Sequence, residues 1–193
     1  LIWSCLVNKD NINGNVIVPA VSWSTTYFPL LQNRFVPNFV DVDLDTLNID
    51  VERIEEAITK QTVAIFAVNL LGNSCNHKVL RTLCKKHDLI LIEDNCESLG
   101  AISNLTVAEG DRIITKKCGT IGRMGSFSFF FSHHMQTMEG GMIVCHDKDD
   151  YDYLRSLRAH GWCRDLPDDN NIYKKTGDPF KDSFTFVTPG YSV

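Results

Sequence analysis

The chain has 193 residues, 44% hydrophobic and 22% charged, a composition that excludes the disordered and fibrous classes and suits a single folded domain. Its 24 acidic against 19 basic residues give a formal charge of −5. That leaves no basic surplus for a phosphate backbone or an anionic lipid surface, so neither nucleic acid nor membrane is an expected partner. The longest apolar runs, at 63–68 and 127–131, fall far short of the roughly 20 residues of a membrane span. Seven cysteines lie scattered without a C-x-x-C pair, which suits free thiols in a reducing, cytoplasmic setting. No His/Cys spacing typical of a zinc site is present, and no metal is expected. The chain opens on Leu1-Ile-Trp3 and stops at Pro189-Gly-Tyr-Ser-Val193, which reads as a piece of a longer polypeptide.

Short β-branched or aromatic runs alternate with segments of helical period, the pattern of an α/β fold with a mostly parallel sheet covered on both faces. Residues 16–18 predict a strand closed by Pro19, and 39–42 a second one preceded by Pro37. A helix is expected after Asp50 as N-cap, with Val51, Ile54, Ala57 and Ile58 on one face. Residues 62–68 read as a buried strand, 77–87 as a helix with Val79, Leu80, Leu83, Cys84 and His87 on one side, and 89–92 as the next buried strand. The rise in polarity over 103–117 predicts a surface excursion or hairpin. Strands at 126–131 and 142–145 flank a loop at 132–141, and 149–160 reads as a helix with Tyr153, Leu154 and Leu157 inward. A turn-rich stretch follows Arg164.

Polar groups at the carboxyl end of a strand lie where open α/β sheets bind ligands. Asp94, following four apolar residues and Glu93, is either a cap or solvated strand end, or a carboxylate set against a protonated heteroaromatic nitrogen. The run Gly125-Ser-Phe-Ser-Phe-Phe-Phe-Ser-His-His-Met-Gln-Thr-Met-Glu-Gly-Gly141 places Ser128 and Ser132 among aromatics and puts His133 and His134 on the connecting loop. Those hydroxyls can bind a phosphate, and the histidines are either structural or catalytic.

Six segments, in order, resemble the DegT/DnrJ/EryC1/StrS sugar aminotransferase family: Val18-Pro-Ala-Val-Ser-Trp-Ser-Thr25, Phe39-Val-Asp-Val-Asp43 through Leu47-Asn-Ile-Asp50, Ile92-Glu-Asp-Asn-Cys-Glu97, Phe127-Ser-Phe129, Glu139-Gly-Gly141 and Leu157-Arg-Ala-His-Gly161. The resemblance implies the large domain of type I pyridoxal phosphate (PLP) enzymes, the aspartate aminotransferase-like fold, with its mostly parallel central sheet flanked by helices. It implies an N-terminally incomplete PLP-binding domain at 1–165 and, at 166–193, a connection toward a small C-terminal domain. Position by position, Trp23 matches the aromatic residue that stacks on the cofactor ring, Asp94 the partner of its pyridine nitrogen, Glu97 the residue beside its phenolic oxygen, and Ser128 the phosphate-binding serine. Each has a plainer alternative, with Trp23 as core, Glu97 as a solvated helix start and Ser128 as a locally bonded strand hydroxyl.

The family's next residue after Ser or Thr in this phrase is the lysine that tethers the cofactor covalently, whereas His133 follows Ser132 here. Imidazole makes no stable tether of that kind. The replacement resembles a subgroup of nucleotide-sugar 3-dehydratases. One branch of that subgroup carries an iron–sulfur cluster needing about four thiolates; only Cys163 follows Gly161 here, so the cluster-free, colitose-type branch is indicated. The resemblance then implies pyridoxamine 5'-phosphate (PMP) and PLP as cofactor forms and a nucleotide-linked 4-keto-6-deoxy sugar as substrate in O-antigen biosynthesis. It also implies L-glutamate as amino donor, a homodimer when full length, and His133 as the catalytic base, with His134 the runner-up. Two rival readings are a sugar aminotransferase that manages without the lysine and a catalytically silent cofactor-binding relative.

Overall fold

The computed structural model describes residues 1–107 and 112–193. They fall into two compact units, one of Asn13–Val144 and one of Leu1–Ile12 with Cys145–Val193. The second unit contains α1 (Ile2–Asp10), α5 (Lys148–Arg158) and α6 (Pro179–Phe184), introduced below in their chain order with the elements of the first.

After α1 come β1 (Asn15–Pro19), α2 (Ser24–Gln32), β2 (Val36–Val40), α3 (Val51–Ala57), β3 (Thr62–Val68), α4 (His77–His87), β4 (Ile90–Asp94), β5 (Ile102–Val107), β6 (Arg112–Lys117), β7 (Met124–Ser128) and β8 (Gly141–Cys145), then α5 and α6. Six strands form one sheet in the order β2-β1-β3-β4-β7-β8. Every pairing from β2 to β7 is parallel, as the strand–helix alternation predicts. β5 and β6 make a separate antiparallel pair, the hairpin alternative left open for 103–117; residues 108–111 lie outside the described residues.

Successive side chains on a strand point to opposite faces. The register Ile17–Ile65, Ile65–Leu91 and Ala67–Glu93 therefore lines one face with Ile17, Ile65, Ala67, Leu91 and Glu93. Ile54 of α3 and Leu80, Leu83 and Cys84 of α4 join that face in a single buried core, with Val51, Ala57, Ile58 and Val79 packed against it. The two helices begin where side chains satisfy their free N–H groups: Asp50 accepts from Glu52 N–H and Asn76 from Val79 N–H. His87, at the end of α4, puts Nε2 2.9 Å from Glu55 of α3.

Several boundaries differ from the expected ones: β1 and β8 begin one residue earlier, and β4 runs on to Asp94. β2 starts at Val36 and contains Pro37; as the outermost strand it leaves one row of N–H groups unpaired, where a missing donor costs nothing. β7 runs from Met124 to Ser128 rather than from 126 to 131, because Phe129 pairs with its own loop: its N–H donates to Gly140 O at 2.9 Å and its carbonyl accepts Thr137 N–H at 2.9 Å. α5 starts one residue earlier, with Asp147 accepting Asp150 N–H, and ends at Arg158 before His160 turns left-handed at φ 60°.

Helices α1, α2 and α6 carry no expectation from the sequence. α2 includes Pro29, a residue that ordinarily interrupts helical pattern. In the unit of Leu1–Ile12 and Cys145–Val193, Leu6 and Leu157 are fully buried, Lys9 is 2.8 Å from the buried Asp150, and Ser4 Oγ is 2.6 Å from Tyr191 Oη. Among the described residues no helix is long and apolar enough to cross a membrane, and no group of three or more His, Cys, Asp or Glu side chains could hold a metal ion.

Candidate active site

The predicted site residues all belong to the unit Asn13–Val144. Asp94 closes β4 and is buried, 8% exposed. A buried carboxylate must be hydrogen-bonded to persist as a charge, and this one is. Thr26 Oγ1 donates to Oδ2 at 3.0 Å, and Cys96 N–H donates to Oδ1 at 3.1 Å. Thr26 spends its single proton on Asp94, so Ser22, 2.9 Å away, is the donor to Thr26. The Cys96 thiol hydrogen-bonds the same carboxylate, so of its four lone-pair sites one is left for a further donor. Burial, and then the adjacent Asp94 charge, push the Cys96 thiol up, so it stays protonated.

Asp94 pairs across the sheet with Ser126 of β7. Paired residues of parallel strands face the same way, and alternation carries Ser128 to that face as well. The sheet thus aligns Asp94, Ser126 and Ser128 on the face opposite the α3–α4 core. Ser128 Oγ accepts Phe130 N–H at 3.2 Å, the local bond foreseen for it, and retains its own proton for an acceptor.

Trp23 precedes the first turn of α2, and its carbonyl accepts Thr26 N–H at 3.0 Å. It is one helical turn from the residue that holds Asp94. Its indole is 76% exposed and is not core. Glu97 is half-buried, and its Oε2 accepts Leu71 N–H at 3.0 Å. Leu71 itself is left-handed at φ 52° in the turn that follows β3. Glu97 is therefore not a free helix start: it clasps a neighbouring strand-end turn.

His133 is half-buried, its N–H donates to Phe130 O at 3.0 Å, and its ring meets Phe130 edge-on with centroids 6.3 Å apart. His134 is exposed. Among the described residues no hydrogen bond joins the His133 imidazole to Trp23, Asp94, Glu97 or Ser128. Two residues that sequence reasoning passed over belong with the site: Thr26 and Ser126. Thr26 was legible only with α2 in hand, and Ser126 follows from the period-2 alternation that already marked Ser128.

The donor set suits a flat protonated heterocycle bearing a phosphate. A charged oxygen with a free lone pair can take a ring N–H, the Ser128 hydroxyl can give its unspent proton to a phosphate oxygen, and an exposed indole offers a stacking face; the Ser126 hydroxyl donates to Glu93 O at 3.4 Å.

The family model for the DegT/DnrJ/EryC1/StrS aminotransferase family matches residues 6–186. The chain is 51% identical over 186 residues to the GDP-4-keto-6-deoxy-D-mannose 3-dehydratase of Yersinia pseudotuberculosis, covering 96% of this chain and 45% of that protein. A solved GDP-4-keto-6-deoxymannose-3-dehydratase with a trapped PLP–glutamate geminal diamine is 46% identical with a TM-score of 0.87, over 100% of this chain and 48% of that one. A solved ColD variant in which a consecutive Ser–His pair is replaced by Asn–Lys is 45% identical with a TM-score of 0.88, over 100% of this chain and 49% of that one. The chain spans less than half the length of these relatives. Agreement of this extent, in pattern and in the path of the parallel sheet, meets the fold expectation, and the chain belongs to the DegT/DnrJ/EryC1/StrS aminotransferase family.

Proposed function

We propose that the protein containing this chain is a PMP/PLP-dependent nucleotide-sugar 3-dehydratase, which removes the C3 hydroxyl of a GDP-linked 4-keto-6-deoxyhexose for dideoxysugar and O-antigen synthesis. The observation that carries this reading is His133 directly after Ser132, where the family phrase has its tethering lysine. Support comes from the relatives named as dehydratases and from ColD, whose Ser–His pair was itself changed to Asn–Lys in one solved variant.

Bound pyridoxamine phosphate supplies an amine that takes up a ketone and a protonated ring that accepts an electron pair. Asp94 holds the proton on the ring nitrogen, its charge kept in place by Thr26 and Cys96 N–H. Ser128 binds the phosphate beside Ser126, whose own hydroxyl donates to Glu93 O, and the Trp23 indole covers the ring. His133 would accept the proton from the C4′ carbon and return it to the departing 3-hydroxyl. Without a lysine to hold the cofactor, these contacts carry its retention. Water would release the 3-deoxy-4-keto sugar with the amine nitrogen leaving as ammonia, and L-glutamate would supply its replacement and become 2-oxoglutarate, in keeping with the glutamate-bound relative. The full-length protein is a homodimer acting in the cytoplasm.

The test is product analysis. Full-length protein is incubated with PMP, L-glutamate and GDP-4-keto-6-deoxymannose, and the sugar is weighed by mass spectrometry. A 3-deoxy-4-keto product with glutamate consumed is expected. A 4-amino-4-deoxy product overturns the reading in favour of an aminotransferase, and an unchanged sugar in the presence of bound PLP marks a silent relative.

A further inference from the structure

Behind the strand end that carries Asp94 stands a second carboxylate for which the proposed reaction has no use. Glu93 and His77, the first residue of α4, are both 0% exposed. Glu93 Oε1 accepts the N–H groups of Ile121 and Gly122, and Oε2 that of Gly119, each at 2.7 Å. His77 Nε2 lies 3.1 Å from Oε2. Its Nδ1 is 3.1 Å from Ser103 Oγ and 3.3 Å from Ser74 Oγ. A buried ion persists only when paired and hydrogen-bonded, and this one gathers three main-chain donors from a single turn.

That turn, 118–122, leads into β7 and is wedged against the back of β4 and β7. Arg123 N–H donates to Leu91 O of β4 at 2.8 Å. Gly119 has φ +85°, and a methyl there would strike the Phe127 ring of β7; a methyl on Gly125 would strike the Gly119 carbonyl oxygen. Glu93 pairs across the sheet with Gly125, one step before the pair Asp94–Ser126. Were β7 to slip by one residue against β4, the faces would exchange and Ser126 and Ser128 would turn away from Asp94.

We infer that Glu93 and His77 are positioning residues, which pin the 118–122 turn to the back of β4 and thereby fix the separation of Asp94 from Ser126 and Ser128. The inference rests on the functional reading above, in which those groups hold the two ends of one rigid cofactor. A ligand with a fixed distance between ring nitrogen and phosphate requires its two anchors at one spacing, and small displacements cost affinity.

The test uses the full-length protein and its E93Q, H77Q and H77L variants. In E93Q an NH2 group replaces one carboxylate oxygen, so either the Gly119 N–H or those of Ile121 and Gly122 face another donor and lose their acceptor. The PLP dissociation constant, read by absorbance titration well below the thermal midpoint, is expected to rise about tenfold. In the cofactor-free protein, the amides of Asn95 and of 125–128 are expected to lose hydrogen-exchange protection. H77Q, which keeps a side-chain donor, is expected to retain more PLP affinity than H77L. A folded E93Q with wild-type PLP affinity and wild-type protection of those amides overturns the inference, even if its thermal midpoint falls. Should E93Q not fold, equal PLP affinities in H77Q and H77L overturn it. Failure of the functional reading looks different: the amides and PLP affinity depend on Glu93, yet no 3-deoxy sugar forms.

Discussion

Asp94 shows how a single ionised residue is kept at a strand end. With 8% exposure it has little water to solvate it, so the Thr26 hydroxyl and Cys96 N–H do that work. A hydrogen bond to a charged, buried acceptor contributes about 1.5–3 kcal/mol. Thr26→Val keeps the side-chain shape and removes the donor, and it is expected to lower thermal stability by about 1–3 kcal/mol and to weaken PLP retention in the full-length protein, both measurable in one absorbance and melting experiment. His133 makes a contrasting case, since its ring packs on Phe130 and has no bonded partner among the predicted site residues. Removing a proton-transfer group typically costs about 10²–10⁴-fold in rate. His133→Asn is expected to lose that much dehydration in a sugar-product assay while leaving PLP affinity near wild type, whereas His134→Asn is expected to leave the rate within a few-fold.

At the scale of elements, the work is shared between the two faces of β4. One face gives Asp94 to the site and the other gives Glu93 to the 118–122 turn. Burial raises the Glu93 pKa, but His77 and the N–H groups of Gly122 and Gly119 outweigh it and hold the carboxyl below its ordinary range. A carboxyl that binds its proton more weakly folded than unfolded adds stability above its unfolded pKa of about 4.3, and that stability is lost as pH falls through the lower folded value. Wild type is therefore expected to be more stable than Glu93→Gln at neutral pH, with the difference shrinking on acidification below about pH 4. Denaturant titrations followed by circular dichroism across that range check the sign; a gap that widened toward acid would contradict the arrangement. The helices owe their starts to short polar caps. Asp50, Asn76, Asp147 and Asp178 each accept a main-chain N–H at the head of a helix, and all but Asn76 add a carboxylate that favours the positive end of the helix dipole.

At the scale of the whole molecule, the seven cysteines are free, five of them buried. Burial alone pushes the Cys84 thiol up to about 12, and burial first, then neighbouring acids or thiols, pushes Cys75 and Cys96 up as well. Alkylation needs the thiolate. Native protein is expected to react slowly with iodoacetamide at pH 8 at all three positions and to release them to reaction on denaturation, as mass mapping of the labelled peptides would read. Fast native labelling of Cys84 would contradict its burial against the sheet. The two compact units each carry their own buried apolar residues, and the predicted site residues fall within one of them. The chain spans under half the length of its relatives, so contacts to the proposed nucleotide sugar are tested on the full-length protein.

What the sequence determined by itself was periodic or chemical. Alternating strand and helix patterns, the Asp50 cap and the residue types of Asp94, Ser128 and His133 are all local features, and local features survive in a string of letters. The tertiary structure decided which distant groups meet. Pro29 hides α2 from any periodicity, yet that helix carries Thr26 to Asp94 across 68 positions of sequence. β7 ends at Ser128 because Phe129 pairs with Gly140 and Thr137, and the aromatic run by itself gives no sign of it. Glu93 looks like Asp94 in the sequence, and only the turn packed behind β4 tells a carboxylate that clamps backbone from one that faces a ligand. Propensity acts over a few residues, whereas a hydrogen bond between remote segments exists only once the sheet has fixed their distance and their facing.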